Sequence, residues 1–349
     1  MELPTELRRV LCDARLLETR PGEERPRKAP HSDPASTDPM VEPLSGGVSS
    51  EVLMVHTTPT PVCAKRALPQ LRVAGTWEAP VERSTSEARW LEAAGRLAPG
   101  LAPPLLAQGQ GWLVLPYLPP ERWTMWKTML LAGQGDAVVV ARQLGTSLGR
   151  LHERAASEPD LARQFDTTEE FTSLRLAPYL RTLAARHPQH ADAQGRIEVS
   201  LLANRRTLVH GDVSPKNVLV DADGTPVLID AECAWWGDAA FDLAFCLNHL
   251  LLKQLVVADV APVRRAARVL VDAYLGEVGF EPLAAISTRT ADLLPWLLLA
   301  RVDGMSPVEY LDEARRQLVR RTALRLLDEG VGHQDLGGLL STVEEAFHV

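Results

Sequence analysis

The stretch His210-Gly211-Asp212-Val213-Ser214-Pro215-Lys216-Asn217, followed after a short apolar segment by Ile229-Asp230-Ala231-Glu232, decides the fold of this chain. The first part reads H-G-D-x-x-x-x-N and the second reads D-x-E. Three apolar runs beside these motifs predict short strands: 207–209, 218–220 and 226–229. A glycine-containing turn joins the last two runs. We therefore expect a hairpin that brings Asp212, Asn217 and Asp230 to one end of a small sheet.

These three side chains have the chemistry that phosphoryl transfer from ATP requires. Asp212 is a carboxylate that can orient an acceptor hydroxyl and accept its proton as the new bond to phosphorus forms. Asn217 and Asp230 offer a neutral and an anionic oxygen, which are the ligands that Mg²⁺ favours. Glu232 follows Asp230 on the same side of an extended strand, where it either holds a second metal ion or caps a turn.

A glycine-rich segment nearer the N-terminus, Gly46-Gly47-Val48-Ser49-Ser50, stands between two predicted strands. Glycine allows the backbone to approach a ligand closely, so Gly46 and Gly47, with the hydroxyl groups of Ser49 and Ser50, can contact phosphate oxygens. The segment therefore predicts a loop that covers the phosphates of a nucleotide.

Lys65 lies in an otherwise apolar predicted strand that follows this loop. A half-buried lysine needs an anionic partner, and the α- and β-phosphates of ATP would serve. Glu87 lies about one turn into a predicted helix over 84–97. This position favours Glu87 over Glu78, Glu82 and Glu92 as the partner that pairs with Lys65 and holds it in place.

Five further residues carry weaker predictions. Asp242, in a buried helix, is expected to accept hydrogen bonds from backbone N–H groups of the loop around Asp212, and His210 is expected to organise that loop. Trp235 and Trp236 are expected either to form a wall of the acceptor pocket or to belong to the core. Arg301, at the end of an apolar helix, either caps that helix or reaches the acceptor site.

The composition places limits on the function. The chain has 349 residues, 46% of them hydrophobic, and a formal net charge of -8 without a dense Lys/Arg run, which argues against nucleic acid as a partner. Its four cysteines form no C-x-x-C pair, which favours a reducing cytoplasm. Apolar runs such as 293–300 are too short to span a membrane.

The patterning predicts three regions. Residues 1–40 should hold one helix and a flexible segment, 41–118 a nucleotide-binding lobe rich in strands, and 119–349 a catalytic and acceptor-binding lobe that is mostly helical. The predicted helices of the last region are about 136–155, 168–186, 192–204, 238–256, 260–276, 284–302, 306–328 and 335–347.

The motifs together resemble the aminoglycoside phosphotransferase and choline kinase superfamily, whose fold is similar to that of protein kinases. The segment 230–237, followed by Phe241-Asp242, is similar to the D-x-E-x-A-x-x-G…F-D segment of methylthioribose kinases. The resemblance implies an α+β bilobal fold with an antiparallel sheet in a small N-terminal lobe. It also implies an ATP- and Mg²⁺-dependent kinase that phosphorylates a hydroxyl of a small molecule, with Lys65 on the phosphates.

Several functions stay open at this point. The acceptor could be a sugar or small amino alcohol, as in a metabolic kinase, or an aminoglycoside or other antibiotic. A protein kinase is disfavoured because the chain has no H-R-D, D-F-G or A-P-E segment in the expected places. A non-catalytic nucleotide-binding module is the remaining alternative, although such a module would be free to lose one of the four residues Lys65, Asp212, Asn217 and Asp230.

Overall fold

The computed structural model describes residues 1–17, 39–44, 49–71, 79–330 and 335–348. It divides into two compact units. The first unit comprises Met1–Glu92 and Pro103–Pro119, and the second comprises Ala93–Ala102 and Pro120–Val349. The predicted α+β class is confirmed, because the first unit contains an antiparallel sheet and the second is mostly helical.

The first unit is built on a sheet. Its strands are β1 (Val41–Pro43), β2 (Ser50–Val55), β3 (Val62–Ala67), β4 (Ala107–Gly109) and β5 (Trp112–Pro116). Within the described residues they form one antiparallel sheet of five strands in the order β1-β2-β3-β5-β4. Strand β4 was not predicted from the sequence.

Helix α1 (Thr5–Asp13) covers this sheet, because it presents an apolar face at helical spacing. Leu7 and Leu11 are fully buried in one cluster with Leu53 and Trp112 of the sheet. The N-terminal helix is therefore part of the core of the first unit. Helix α2 (Arg83–Leu97) follows β3 and continues into the second unit.

The second unit contains most of the helices. They are α3 (Trp126–Ala132), α4 (Ala137–Ala156), α5 (Pro159–Gln164), α6 (Thr168–Phe171), α7 (Thr182–Arg186), α8 (Ala191–Ala203), α9 (Ala239–Lys253), α10 (Ala261–Leu275), α11 (Leu283–Asp303), α12 (Glu313–Glu329) and α13 (Leu336–Phe347). A π-helical segment, Thr172–Arg181, joins α6 to α7, so the predicted helix 168–186 is continuous but not uniformly α-helical.

The predicted start of the helix at 306 is wrong. Helix α12 begins at Glu313, because the carboxylate of Asp312 accepts a hydrogen bond from the backbone N–H of Arg315 at 2.8 Å and so caps the helix there. The residues before Asp312, including Ser306 and Tyr310, form a loop instead.

Short strands of the second unit carry the signature motifs. They are β6 (Trp123–Met125), β7 (Thr207–Val209), β8 (Val218–Asp221), β9 (Pro226–Leu228) and β10 (Trp235–Gly237). Strands β8 and β9 form the predicted hairpin, β6 adds to its edge, and β7 pairs with β10. The loop 210–217 therefore lies between β7 and β8, and Asp230 lies two residues beyond the end of β9.

Two helices form the centre of the second unit. Every residue of α9 is buried, including the polar side chains of Asp242, His249 and Lys253. Helix α11 is long and apolar enough to cross a membrane by length and composition alone, which the short run at 293–300 did not suggest. Since 61% of its apolar window is buried inside the protein, α11 has the character of a core helix.

Candidate active site

The loop after β7 has a backbone shape that only glycine accommodates. Gly211 has φ +80°, and a Cβ atom there would lie 2.5 Å from the carbonyl oxygen of Cys233. The ring of His210 organises this turn, because its Nδ1 accepts a hydrogen bond from the backbone N–H of Asp212 at 3.1 Å and its Nε2 lies 3.2 Å from the carbonyl oxygen of Ile229. Burial lowers the pKa of His210, which favours the neutral ring that this arrangement needs.

The carboxylate of Asp242 on α9 accepts hydrogen bonds from the backbone of the same loop. Its Oδ2 accepts a hydrogen bond from the backbone N–H of His210 and its Oδ1 from that of Gly211, both at 2.8 Å. These are the contacts expected from the sequence. The structure adds a buried partner that the sequence did not reveal: His152 on α4 lies 3.3 Å from Asp242 and 2.8 Å from the hydroxyl of Tyr274 on α10.

Asp212, the predicted base, is buried between two cations. Its Oδ2 lies 2.8 Å from a guanidinium nitrogen of Arg175 and 3.2 Å from Nζ of Lys216. Burial alone would raise the pKa of Asp212, but the charges of Arg175 and Lys216 outweigh it and hold that pKa below its ordinary value. The carboxylate is therefore kept ionised at neutral pH.

Arg175 was not singled out from the sequence. It belongs to the π-helical segment Thr172–Arg181, and such segments often occur at functional sites. Its Nε donates to the carbonyl oxygen of Gly211 and its Nη1 to that of Leu174, both at 2.7 Å. Arg175 thus contacts both the carboxylate of Asp212 and the backbone of the loop. In the sequence, only Pro178 within the predicted helix indicated an irregular structure in this segment.

Asn217 and Asp230 fit a magnesium ion. The Nδ2 group of Asn217 donates to the main-chain oxygen of Asp212 at 3.0 Å, which leaves its Oδ1 to act as a ligand. Asp230 has φ +70°, an uncommon conformation for a residue other than glycine, and such strain is concentrated at functional sites. The negative charge of Asp230 acts on Asp212 and Lys216, so these groups are neighbours.

The protein supplies few metal ligands of its own. The described ranges contain no group of three or more His, Cys, Asp or Glu residues that could hold a metal ion. A magnesium ion keeps waters and phosphate oxygens and takes only one or two carboxylates from a protein. Glu232 is buried, and its charge helps to raise the pKa of Arg175 against the opposing effect of burial.

The first unit positions Lys65. Its Nζ lies 2.8 Å from Oε2 and 3.0 Å from Oε1 of Glu87 on α2, and the side chains are only 12% and 3% exposed. The pairing expected from the sequence is therefore present. Ser49 and Ser50 precede and begin β2, and the hydroxyl of Ser50 is buried without a hydrogen-bond partner. Gly46 and Gly47 lie outside the described residues.

Arg83, which the sequence did not flag, anchors this region. Its buried guanidinium donates to four main-chain oxygens, including those of Ser49 and Leu68 at 2.6 Å. The first turn of α2 and the start of β2 are held together by these bonds, which in turn support the position of Glu87.

The predicted acceptor residues lie in different surroundings. Trp235 is fully buried and stacks on Phe171 with ring centroids 4.2 Å apart, and Trp236 is 8% exposed. Arg301, in the last turn of α11, donates to the hydroxyl of Tyr179 at 2.8 Å. A role for these side chains in acceptor binding stays a prediction.

Comparison with known proteins places this arrangement in a class. Residues 41–267 match the model of the phosphotransferase enzyme family APH, and the chain belongs to that family. The superfamily predicted from the motifs is thereby confirmed. Among curated proteins, the chain is 26% identical over 236 residues to a methylthioribose kinase of Erwinia tasmaniensis, which covers 59% of this chain and 58% of the relative. The chain thus spans less than two thirds of that relative's length.

Solved structures share the fold. The choline kinase of Cryptosporidium parvum Iowa II is 13% identical, with a TM-score of 0.52 over 88% of this chain and 95% of that one. The Plasmodium vivax ethanolamine kinase is also 13% identical, with a TM-score of 0.52 over 82% of each chain. The kinase-like fold class expected from the sequence is therefore confirmed.

Proposed function

We propose that this protein is an ATP-dependent small-molecule kinase that transfers the γ-phosphoryl group to a hydroxyl of its acceptor. The observation that carries the proposal is the loop 210–217, which holds a buried, ionised carboxylate and an amide, together with Asp230 after β9, a second carboxylate suited to Mg²⁺. Membership of a phosphotransferase family supports it. Lys65, held by Glu87, is assigned to the nucleotide phosphates.

The reaction needs little covalent chemistry from the protein. The acceptor oxygen forms a bond to the γ-phosphorus, the bond from that phosphorus to the β–γ bridging oxygen breaks, and ADP leaves. Asp212 orients the hydroxyl and accepts its proton. Arg175 and Lys216 keep Asp212 unprotonated and therefore able to accept it. Asn217 and Asp230 would hold Mg²⁺, which neutralises charge on the phosphates when bound.

The acceptor is proposed to be a small molecule. The methylthioribose kinase relatives favour a sugar or sugar-like alcohol. A polycationic aminoglycoside is disfavoured, because Arg175 and Lys216 flank the base. We further propose a cytoplasmic location, since all four cysteines are free.

A coupled ADP-release assay with Mg·ATP tests the function. The acceptors are methylthioribose, other pentoses, small amino alcohols and aminoglycosides. The Asp212→Asn variant should lose turnover by a factor of 100 or more, on the order of what general-base catalysis contributes, while binding Mg·ATP as the wild type does. Asp223→Asn, which changes an exposed carboxylate of the β8–β9 turn, is the matched control. Full turnover in Asp212→Asn would exclude Asp212 as the base.

A second arm separates a kinase from a binding module. Asp230→Ala should weaken Mg·ATP binding measured by calorimetry, because it removes an anionic ligand of the metal. Mg·ATP binding without transfer to any acceptor would instead favour the non-catalytic alternative.

A further inference from the structure

A set of basic side chains lies near Asp212 without serving the proposed transfer. We call Lys127, His249, Lys253 and Arg301, together with Tyr310, the basic cluster. They come from α3, α9, α11 and the loop before α12. The Nζ of Lys253 lies 5.1 Å, and that of Lys127 5.9 Å, from the centre of the Tyr310 ring. Because residues from four parts of the sequence converge, the cluster is a product of packing.

Two of its cations are buried without a carboxylate. Lys253 is 1% and Arg301 9% exposed. In the part of the chain that the structure describes, neither forms an ion pair, and Arg301 bonds only the hydroxyl groups of Tyr179 and Ser306. Lys127 alone forms a direct ion pair, with Glu309, which is 67% exposed and whose charge also acts on Lys253 and Arg301. Buried charges are normally paired, so Lys253 and Arg301 are suited to bind an anion from outside the chain.

The cluster also presents donors that have no acceptor. The Nε group of Arg301 and the hydroxyl of Tyr310 are buried and make no hydrogen bond. Burial, followed by the charge of Lys127, lowers the pKa of Lys253 to about 7, and burial followed by the charges of Arg301 and Lys253 lowers the pKa of His249. Unsatisfied donors and mutually repelling cations are both relieved by a bound anion.

Two chains of contacts connect the cluster to the catalytic loop. Arg301 donates to the hydroxyl of Tyr179, whose ring centre is 6.0 Å from the guanidinium of Arg175, and Arg175 pairs with Asp212. On the other side, the backbone N–H of Lys127 donates to the carbonyl oxygen of Pro215 at 2.9 Å. The cluster is therefore connected by contacts on two sides to the loop that carries Asp212.

We propose that the basic cluster binds an anionic group, a carboxylate or a phosphate, carried by the same acceptor whose hydroxyl is phosphorylated. This inference rests on the proposed kinase function and adds the charge class of the substrate. Arg301 and Lys253 bind the anion directly, and Tyr310 donates its free hydroxyl to it. An anionic acceptor also explains why two buried cations are retained at a cost in stability.

Binding of simple anions tests the site without the true acceptor. Inorganic phosphate and glycerate are titrated by calorimetry into protein saturated with Mg·ADP, so that the nucleotide site is occupied. At pH 8 Lys253 is mostly neutral, and a bound anion should cause it to take up a proton. The binding heat should then depend on the ionisation enthalpy of the buffer. Comparison of the two probes distinguishes a carboxylate from a phosphate.

Two variants assign the binding to the cluster. Lys253→Met and Arg301→Gln should each lower the affinity for the anion about ten- to hundredfold, as expected for loss of a charge-assisted hydrogen bond. Both variants should leave the affinity for Mg·ATP unchanged. Arg163→Gln is the control, because Arg163 is a 75% exposed arginine of the same unit. Weaker Mg·ATP binding in Lys253→Met would assign the cluster to the nucleotide and overturn the inference.

Matched acceptors complete the test. Glycerol, glycerate, glycerol 3-phosphate and 3-amino-1,2-propanediol present similar hydroxyl groups with different charge. We expect turnover of an anionic member, with a KM that rises in Lys253→Met. Transfer to a neutral or cationic acceptor that is indifferent to Lys253→Met keeps the kinase and overturns the anion site. Anion binding that depends on Lys253, without transfer to any acceptor, supports the anion site and contradicts the kinase function.

Discussion

Replacement of Asp242 by asparagine removes the charge of this side chain and keeps its size, so it measures what the charge contributes to stability. The wild-type carboxylate accepts two backbone hydrogen bonds, from His210 and Gly211, each at 2.8 Å. An asparagine has one accepting oxygen, so one buried N–H group must face the amide nitrogen instead. The lost charge-assisted bond is worth about 1.5–3 kcal/mol, and the unpaired donor costs about 1–3 kcal/mol. Removal of the buried charge offsets part of this cost, so we expect the free energy of unfolding to fall by about 3 kcal/mol.

Urea unfolding followed by far-UV circular dichroism measures this loss, because the helical second unit dominates the signal. The kcat of Asp242→Asn should also fall tenfold or more, since Asp212 is attached to the loop that Asp242 holds. Asp223→Asn, in an exposed turn, should leave both quantities unchanged. An Asp242→Asn protein within about 0.5 kcal/mol of the wild type would refute the reasoning.

Four other substitutions test separate parts of the structure. Arg175→Met should destabilise the protein by about 2–3 kcal/mol, because it leaves the buried Asp212 without this partner. It should also lower kcat more than it changes the KM for ATP, and a normal kcat would show that Arg175 does not position Asp212. Glu87→Gln should raise the KM for ATP several-fold, because it releases Lys65, which we propose to bind the phosphates, and an unchanged KM would count against that role of Lys65. Gly211→Ala should cost about 1–3 kcal/mol in urea unfolding, because φ is +80° and the new Cβ meets a carbonyl oxygen, and a wild-type midpoint would contradict this. Lys253→Met should stabilise the free protein most below pH 7, because the pKa of Lys253 is about 7 in the folded state and higher in the unfolded state. Between pH 7 and 9 the wild type should gain about 1 kcal/mol of stability per pH unit, so its urea midpoint should approach that of the variant. A difference in urea midpoint that does not change with pH would exclude burial of a titrating lysine.

The catalytic loop could be predicted from the sequence because its parts are local. His210, Asp212 and Asn217 lie within one turn of chain, and a short hairpin brings Asp230 to them, so spacing along the sequence sets their spacing in the fold. The pairing of Lys65 with Glu87 was also accessible, since one strand and the next helix supply the two charges. A single cation inside an apolar strand can be recognised from the sequence without knowledge of the packing.

The surroundings of the base required the tertiary structure. Arg175 meets Asp212 only because a π-helical segment packs against the loop after β7, and Lys253, Arg301 and Tyr310 converge only because α9, α11 and the loop before α12 pack together. Hydrophobic periodicity reports which face of a helix is buried, but not which distant helix covers it. Contiguous motifs in the sequence were therefore sufficient to predict the phosphotransferase family. The charge that we propose for the acceptor depends instead on long-range packing, because side chains far apart in the sequence form the basic cluster.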